Sequence, residues 1–256
     1  MESDGYQAYD FLNILYPKVK KAFPELAVSC CDSTGARQER DLLYELGRLD
    51  GLNLFDVNTY HNYQSSIKEP FDDLLQDQPT IETEWSDGGD NWTPTWDVSG
   101  NNFEGFQWAI YMHNAFQNNV AGWSHWWCTW SGGDASLVNV NGTSYQVAAR
   151  LWAFSGYFRF ARPGAVRIAA DNGGVEDIYV TAWENKNGTV AIPVVNAAHY
   201  TYTVDMQLSG VTATQATAYL TDNEHNVTIS DQYSVPGGRL TAEVEPRSMK
   251  TFFLHS

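Results

Sequence analysis

Apolar positions recur with two different periods along this chain, and the change falls near residue 162. Before it, helical and extended patterns alternate. Ala8, Phe11, Leu12, Leu15, Val19, Ala22 and Phe23 form one helical stripe, with Asp4 placed to cap it and Pro24 to stop it. The apolar run 26–31 then reads as a strand closed by Asp32. Leu42, Leu46 and Leu49 mark a second helix ending near Gly51. Residues 54–57 lead into Asn58-Thr59-Tyr60-His61-Asn62-Tyr63, and 80–85 reads as a third strand. Phe103, Phe106 and Ile110 mark another helix, and 122–127 a fourth strand. Val147, Leu151, Phe154 and Phe158 make a last helix, stopped by Pro163.

Strands that alternate with helices pair in parallel, because each helix carries the chain back to the starting edge of the sheet. Four such units with polar residues at the strand ends predict half of a (β/α)₈ barrel, strands five to eight of a TIM-type architecture. Beyond residue 163 the period becomes two. Tyr200, Tyr202, Val204, Met206 and Leu208 alternate with polar residues, as do Leu240, Ala242 and Val244. With Asn-Gly and Gly-Gly turns between them, about seven or eight short strands predict a β-sandwich. The expected fold class is α/β plus all-β, with a partial barrel over 1–161 and a sandwich side domain over 162–256.

The chemistry gathers at the predicted strand ends. Glu82-Thr83-Glu84-Trp85 closes the third strand, and period two puts residues 82 and 84 on one face. Glu84, nearer the end, is placed to attack an anomeric carbon as a nucleophile. His61 and Tyr63 close the preceding strand, and a tyrosine hydroxyl there can hydrogen-bond the Glu84 carboxylate. Trp126, within the fourth strand, has the parity to face inward, while Trp123 and Trp127 suit core packing. Trp92 and Trp96 are offered as outer sugar platforms or as rim cover, and Trp130, in the cluster of the fourth strand, is a further candidate for substrate contact. The nearby acids are Asp87 and Asp90.

Composition narrows the function. The chain has 31 acidic and 15 basic residues, a formal charge of −16, which disfavours nucleic acid and anionic membrane surfaces. Ten tryptophans suit a partner with flat apolar faces, such as a sugar ring. No motif calls for a metal or cofactor, and His61, His113 and His125 lack metal-ligand spacing. No apolar run reaches membrane-spanning length. Sequons at Asn91, Asn141, Asn187 and Asn226 point to secretion. Residues 1–5 lack signal-peptide character. Of the three cysteines, adjacent Cys30 and Cys31 are expected not to pair with each other, leaving Cys128 to join either or neither.

Tyr60-His61-Asn62-Tyr63, Thr83-Glu84-Trp85 and Gly122-Trp123-Ser124-His125-Trp126 resemble strand-end motifs of glycoside hydrolase family 30, in its fungal endo-acting branch. The stretch Phe158-Arg159-Phe160-Ala161-Arg162-Pro163-Gly164-Ala165-Val166-Arg167-Ile168 is similar to that family's link from the last barrel helix into the side domain. The resemblance implies a retaining glycosidase acting on a polysaccharide such as xylan or β-1,6-galactan. It makes Glu84 the nucleophile and implies that His61, Tyr63 and Trp126 line the sugar site; Trp92 and Trp130 are further candidate substrate contacts from their place in the sequence. It also implies an acid/base glutamate in an Asn-Glu motif on strand four, expected upstream of residue 1; Glu2 lacks the preceding Asn. A chain truncated there is expected to expose an open half barrel and to self-associate. The competing expectations are a carbohydrate-binding protein without turnover and an inactive fragment.

Overall fold

The computed structural model describes residues 4–75, 77–87, 92–98, 104–132 and 135–256; Glu2, Asp90, Asn91 and Phe103 lie outside them. The chain divides into two compact units, residues 1–88 with 114–128, and residues 89–113 with 129–256.

The first unit holds a four-stranded parallel sheet with its strands in sequence order. These are β1 (Ser29–Ser33), β2 (Val57–His61), β3 (Thr80–Trp85) and β4 (Val120–His125). With α1 (Gly5–Ala22), α2 (Ala36–Arg48) and the 114–117 end of α3 (Gly105–Gln117), this is the alternating pattern of a (β/α) barrel, with four of the eight strands such a barrel uses. Helix α2 buries Leu42, Leu43 and Leu46. Asp4 caps α1 by accepting from the Gln7 amide at 2.8 Å, as expected. The stripe predicted on α1 is only partly buried: Leu12 is inside, whereas Phe11 is 63% and Phe23 57% exposed. A helical period shows which positions share a face, not that the face is covered.

The second unit contains α4 (Arg150–Phe158) and three sheets. The strands β5 (Thr129–Trp130), β6 (Val138–Asn141) and β7 (Ser144–Val147) form a small sheet that the hydrophobic pattern did not foretell. Val147, expected on the last helix, belongs to β7. From residue 166 onward there are nine described strands. They are β8 (Val166–Ile168), β9 (Ile178–Val180), β10 (Ala182–Glu184), β11 (Val190–Asn196), β12 (Tyr202–Gln207), β13 (Gln215–Thr221), β14 (Thr228–Ser234), β15 (Arg239–Val244) and β16 (Ser248–His255). One sheet runs β14-β13-β16-β11-β10-β8 with β9 on β11, and the other pairs β12 with β15. The alternation read from the sequence shows directly: on β15, Leu240, Ala242 and Val244 are buried and the residues between them are exposed. The shared core includes Ile192, Val194, Ala218, Phe252 and Leu254.

The 158–168 stretch is locked by hydrogen bonds. Asn185 donates to the Phe160 carbonyl at 2.8 Å and accepts from the Arg162 amide at 2.9 Å. Phe160 is buried, its ring 4.6 Å from that of Tyr219. Helix α4 is held to β16, where Thr251 donates to the Gly156 carbonyl at 2.9 Å. Among the cysteines, Cys30 and Cys31 are joined to each other, contrary to expectation. The peptide between them is cis and their Cα atoms lie 3.0 Å apart. Cys128 is free and exposed.

Candidate active site

Each of the four parallel strands brings a polar or aromatic side chain to its C-terminal end. On β1 this is Asp32, on β3 Thr83 and Glu84. His61 ends β2, and Tyr63 lies two residues beyond it. Trp126 follows β4 by one residue. Parallel pairing puts these ends side by side, and His61 registers against Glu84.

The sharpest contact joins Tyr63 and Glu84. The Tyr63 hydroxyl donates to Glu84 Oε1 at 3.0 Å. Partial burial and this carboxylate push the Tyr63 phenol up to about 12, while a hydrogen bond from Ser86 opposes them. The phenol therefore stays protonated and able to donate throughout any working pH range. His61 stands beside it, the two rings 5.9 Å apart and edge to face. The other side of the imidazole meets Asp32, with Nε2 3.9 Å from Oδ1. Thr83 Oγ1 donates to the same Asp32 oxygen. Asp32 and Thr83 thus stand beside His61 and Glu84. The sequence pattern names Asp32 only as the stop of its strand and Thr83 only within the Thr83-Glu84-Trp85 motif. A polar residue closing a parallel strand is the available signal, and it had been applied to the other three strands.

Glu82 and Glu84 do not share an environment, which corrects the expectation of a common face. Tyr60 registers against Glu82 and His61 against Glu84, so β3 advances two residues while β2 advances one. Such a bulge breaks the period of two. Glu82 is fully buried, and neither carboxyl oxygen has a hydrogen-bond partner among the described residues. Burial alone drives its pKa well above the ordinary carboxylate value. Glu84, by contrast, is only partly buried.

Trp126 is 43% exposed, and its amide donates to the Trp85 carbonyl at 3.0 Å. That bond ties it to the strand carrying Glu84. Trp123 is buried against Trp85, with ring centroids 5.9 Å apart, the packing role expected for it. Trp92, Trp96 and Trp130 lie in the second compact unit. Trp96 is 2% exposed and donates to the Arg247 carbonyl at 3.0 Å, so it is core and not a sugar platform. Trp92 donates to the Ser136 carbonyl at 3.0 Å, and Trp130 is 46% exposed on β5. No group of three or more His, Cys, Asp or Glu that could hold a metal ion occurs among the described residues. No helix among them is long and apolar enough to cross a membrane.

Residues 164–252 match the model of the glycosyl hydrolase family 30 beta sandwich domain. Over its full length the chain superposes on the catalytic domain of a family 30 xylanase C from Talaromyces cellulolyticus, with a TM-score of 0.89 and 29% identity, covering 58% of that chain. A family 30 subfamily 8 xylanase from Clostridium acetobutylicum gives a TM-score of 0.80 at 18% identity, over 99% of this chain and 61% of that one. A family 30 endoxylanase from Clostridium papyrosolvens gives 0.77 at 20% identity, over 96% of this chain and 60% of that one. The chain thus spans about three fifths of the length of these proteins, and the two clostridial matches establish the fold alone.

Proposed function

We propose that the chain is part of a retaining glycosidase of plant cell-wall β-glycans with Glu84 as nucleophile, a reading supported by the match of residues 164–252 to the glycosyl hydrolase family 30 beta sandwich domain. The observation that carries this is the hydrogen bond from Tyr63 to Glu84 at the C-terminal end of a parallel sheet. That end is where barrel enzymes build their sites. The phenol holds one carboxylate oxygen in place, and an ionised carboxylate attacks the anomeric carbon. The leaving-group oxygen departs with the bonding pair, and a glycosyl ester on Glu84 remains for water to hydrolyse.

His61 and Asp32 form the wall beside this carboxylate, and Trp126 offers an exposed ring to the sugar. Trp92 and Trp130 are kept as candidate sugar contacts on their sequence position alone. A retaining mechanism needs a second carboxyl group about 5 Å from the nucleophile. Glu82 does not supply it, being fully buried. Among the described residues we assign that role to none.

The match to a xylanase at 29% identity supports xylan as the first polymer to test, with β-1,6-linked glycans next. The division into a barrel portion over 1–161 and a side domain over 162–256 belongs to the same proposal. So does an extracellular site of action, supported by the sequons and the acidic charge. Self-association is supported by apolar exposure on α1, where Phe11 is 63% and Ile14 59% exposed.

Covalent trapping tests the proposal. The protein is incubated with a panel of 2-fluoro glycosides bearing dinitrophenyl leaving groups, which depart with little acid assistance. Intact mass and peptide mapping are expected to show one sugar on Glu84, and the sugar that labels identifies the substrate. A label on Glu82 would reassign the nucleophile. Folded protein that takes no label from any sugar would overturn the catalytic proposal in favour of binding without turnover.

A further inference from the structure

Two bulges stand on either side of the end of β2, and their extra residues meet. Between Cys31 and Ser33, β1 advances two residues while β2 advances one, which leaves Asp32 unmatched. Between Glu82 and Glu84 the unmatched residue of β3 is Thr83. The Thr83 hydroxyl donates to Asp32 Oδ1. Since the sheet runs β1-β2-β3, this bond links the two neighbours of β2 at its end. His61, the last residue of β2, brings Nε2 to 3.9 Å from the same oxygen, too far for a hydrogen bond.

Bulges re-aim side chains and are frequent beside functional sites. Here the bulge on β1 also sets Asp32 at φ +56°, in the left-handed region. That backbone is unfavourable for a residue with a Cβ, and glycine would adopt it without strain. Glycine would not bring a carboxylate. The carboxylate of Asp32 is open to a ligand, its side chain 49% exposed. Thr83 and His61 both approach Oδ1, and among the described residues none donates to Oδ2. One oxygen is thus fixed by the protein, and the other is held ready to accept. Thr83, which fixes it, immediately precedes Glu84.

We propose that Asp32 is a substrate-binding residue, whose Oδ2 accepts from a hydroxyl of the sugar held at Glu84. The inference rests on the function proposed above and adds a specificity to it. A carboxylate rewards a neutral hydroxyl and repels an anion, so the sugar at this position is neutral and not a uronate. A site built to bond a hydroxyl also rejects the analogue that lacks it.

The test is NMR titration of the whole chain with the methyl β-glycosides of xylose, glucose and galactose and with the monodeoxy analogues of each. At least one glycoside is expected to shift the amides of Tyr63 and Glu84 saturably. Deleting one particular hydroxyl should weaken it about tenfold, the worth of a charge-assisted hydrogen bond. Asp32→Ala should weaken the intact glycoside about as much, and the two losses should not add. Asp32→Asn tolerates the left-handed backbone and still accepts from Thr83, but puts a donor where Oδ2 stood. It should lose affinity while keeping the parent's melting temperature. Losses that add at every hydroxyl, or an Asp32→Asn protein that binds like the parent, would overturn the role of Asp32 and leave the proposed function standing. Coupled losses in a chain that takes no 2-fluoro label at Glu84 would sustain Asp32 as a sugar ligand and count against catalysis. A chain that titrates with none of the glycosides would overturn the inference, and labelling at Glu84 would then decide the function by itself.

Discussion

Tyr63 reaches Glu84 from beyond the end of its own strand, and the 3.0 Å bond between phenol and carboxylate joins the ends of β2 and β3. The contact fixes one oxygen of the carboxylate. Removing the hydroxyl takes away a charge-assisted hydrogen bond. Tyr63 is 42% exposed, which puts its worth at the lower end of the range, about 1.4 kcal/mol or a tenfold change. Tyr63→Phe is expected to lower the rate of covalent labelling at Glu84 about tenfold, with an unchanged melting temperature. Equal labelling by both proteins would remove Tyr63 from the site.

Trp126 is expected to act on binding alone. Its ring is 43% exposed, so truncation removes little core, while its amide keeps the bond to the Trp85 carbonyl. A sugar stacked on the ring is held alike in the ground and transition states, and such uniform binding appears in KM. Trp126→Ala should raise the sugar concentration needed for half-maximal labelling by about three- to tenfold. A loss confined to the maximal rate would mean that the ring positions the reacting carbon.

Much of this site was legible because strand ends in a parallel sheet are announced locally. Helix breakers, a short apolar run and then His61-Asn62-Tyr63 or Glu82-Thr83-Glu84 can be read within a dozen residues. What escaped depended on contacts distant in sequence. The bulge that separates Glu82 from Glu84 is a matter of pairing between strands, and no period within β3 reveals it. Trp96 reads as a loop aromatic until it meets Arg247, 151 residues away. The small sheet β5-β6-β7 is built from strands of two to four residues with mostly exposed or half-exposed side chains, which leave no hydrophobic signature. Sandwich strands such as β15, buried on one face only, were the easiest to read.

Asn187 is set up as a glycan acceptor. It sits exposed at the tip between β10 and β11, where Gly188 takes φ +80° and a Cβ there would meet nothing within 4 Å. The Thr189 hydroxyl and amide both donate to Asn187 Oδ1, at 2.8 and 3.2 Å. The folded chain therefore accommodates a bulky substituent without moving its core. Expressed through a eukaryotic secretory pathway, the protein is expected to carry a glycan at Asn187. Asn187→Gln should lower the intact mass by that glycan and leave the melting temperature within a degree or so. Peptide mapping that finds Asn187 unmodified would refute this.

Glu39 and Glu82 give the fold an unusual response to pH. Glu39 lies on α2, fully buried, and accepts from the Ser33 amide at 3.3 Å. Burial, with a smaller push from Asp32, raises its pKa from 4.5 to about 7 against the opposing bonds from Ser33 and the Cys31 backbone. Glu82 is raised well above its ordinary value by burial. In both cases the folded state holds a proton that the unfolded state releases first. Stability is therefore fully present below the unfolded pKa, near 4.5, and falls as pH rises through the folded pKa. For Glu39 the window is about 4.5 to 7, and the loss above it amounts to at most about 3 kcal/mol. Glu39→Gln keeps an acceptor for Ser33 and cannot ionise. Its melting temperature is expected to equal that of the parent at pH 4 and to exceed it by several degrees at pH 8. Glu82→Gln should diverge from the parent in the same direction. Melting curves from pH 4 to 9 decide the matter: variants that lose stability equally at every pH would show that the two carboxyls are already ionised in the folded protein.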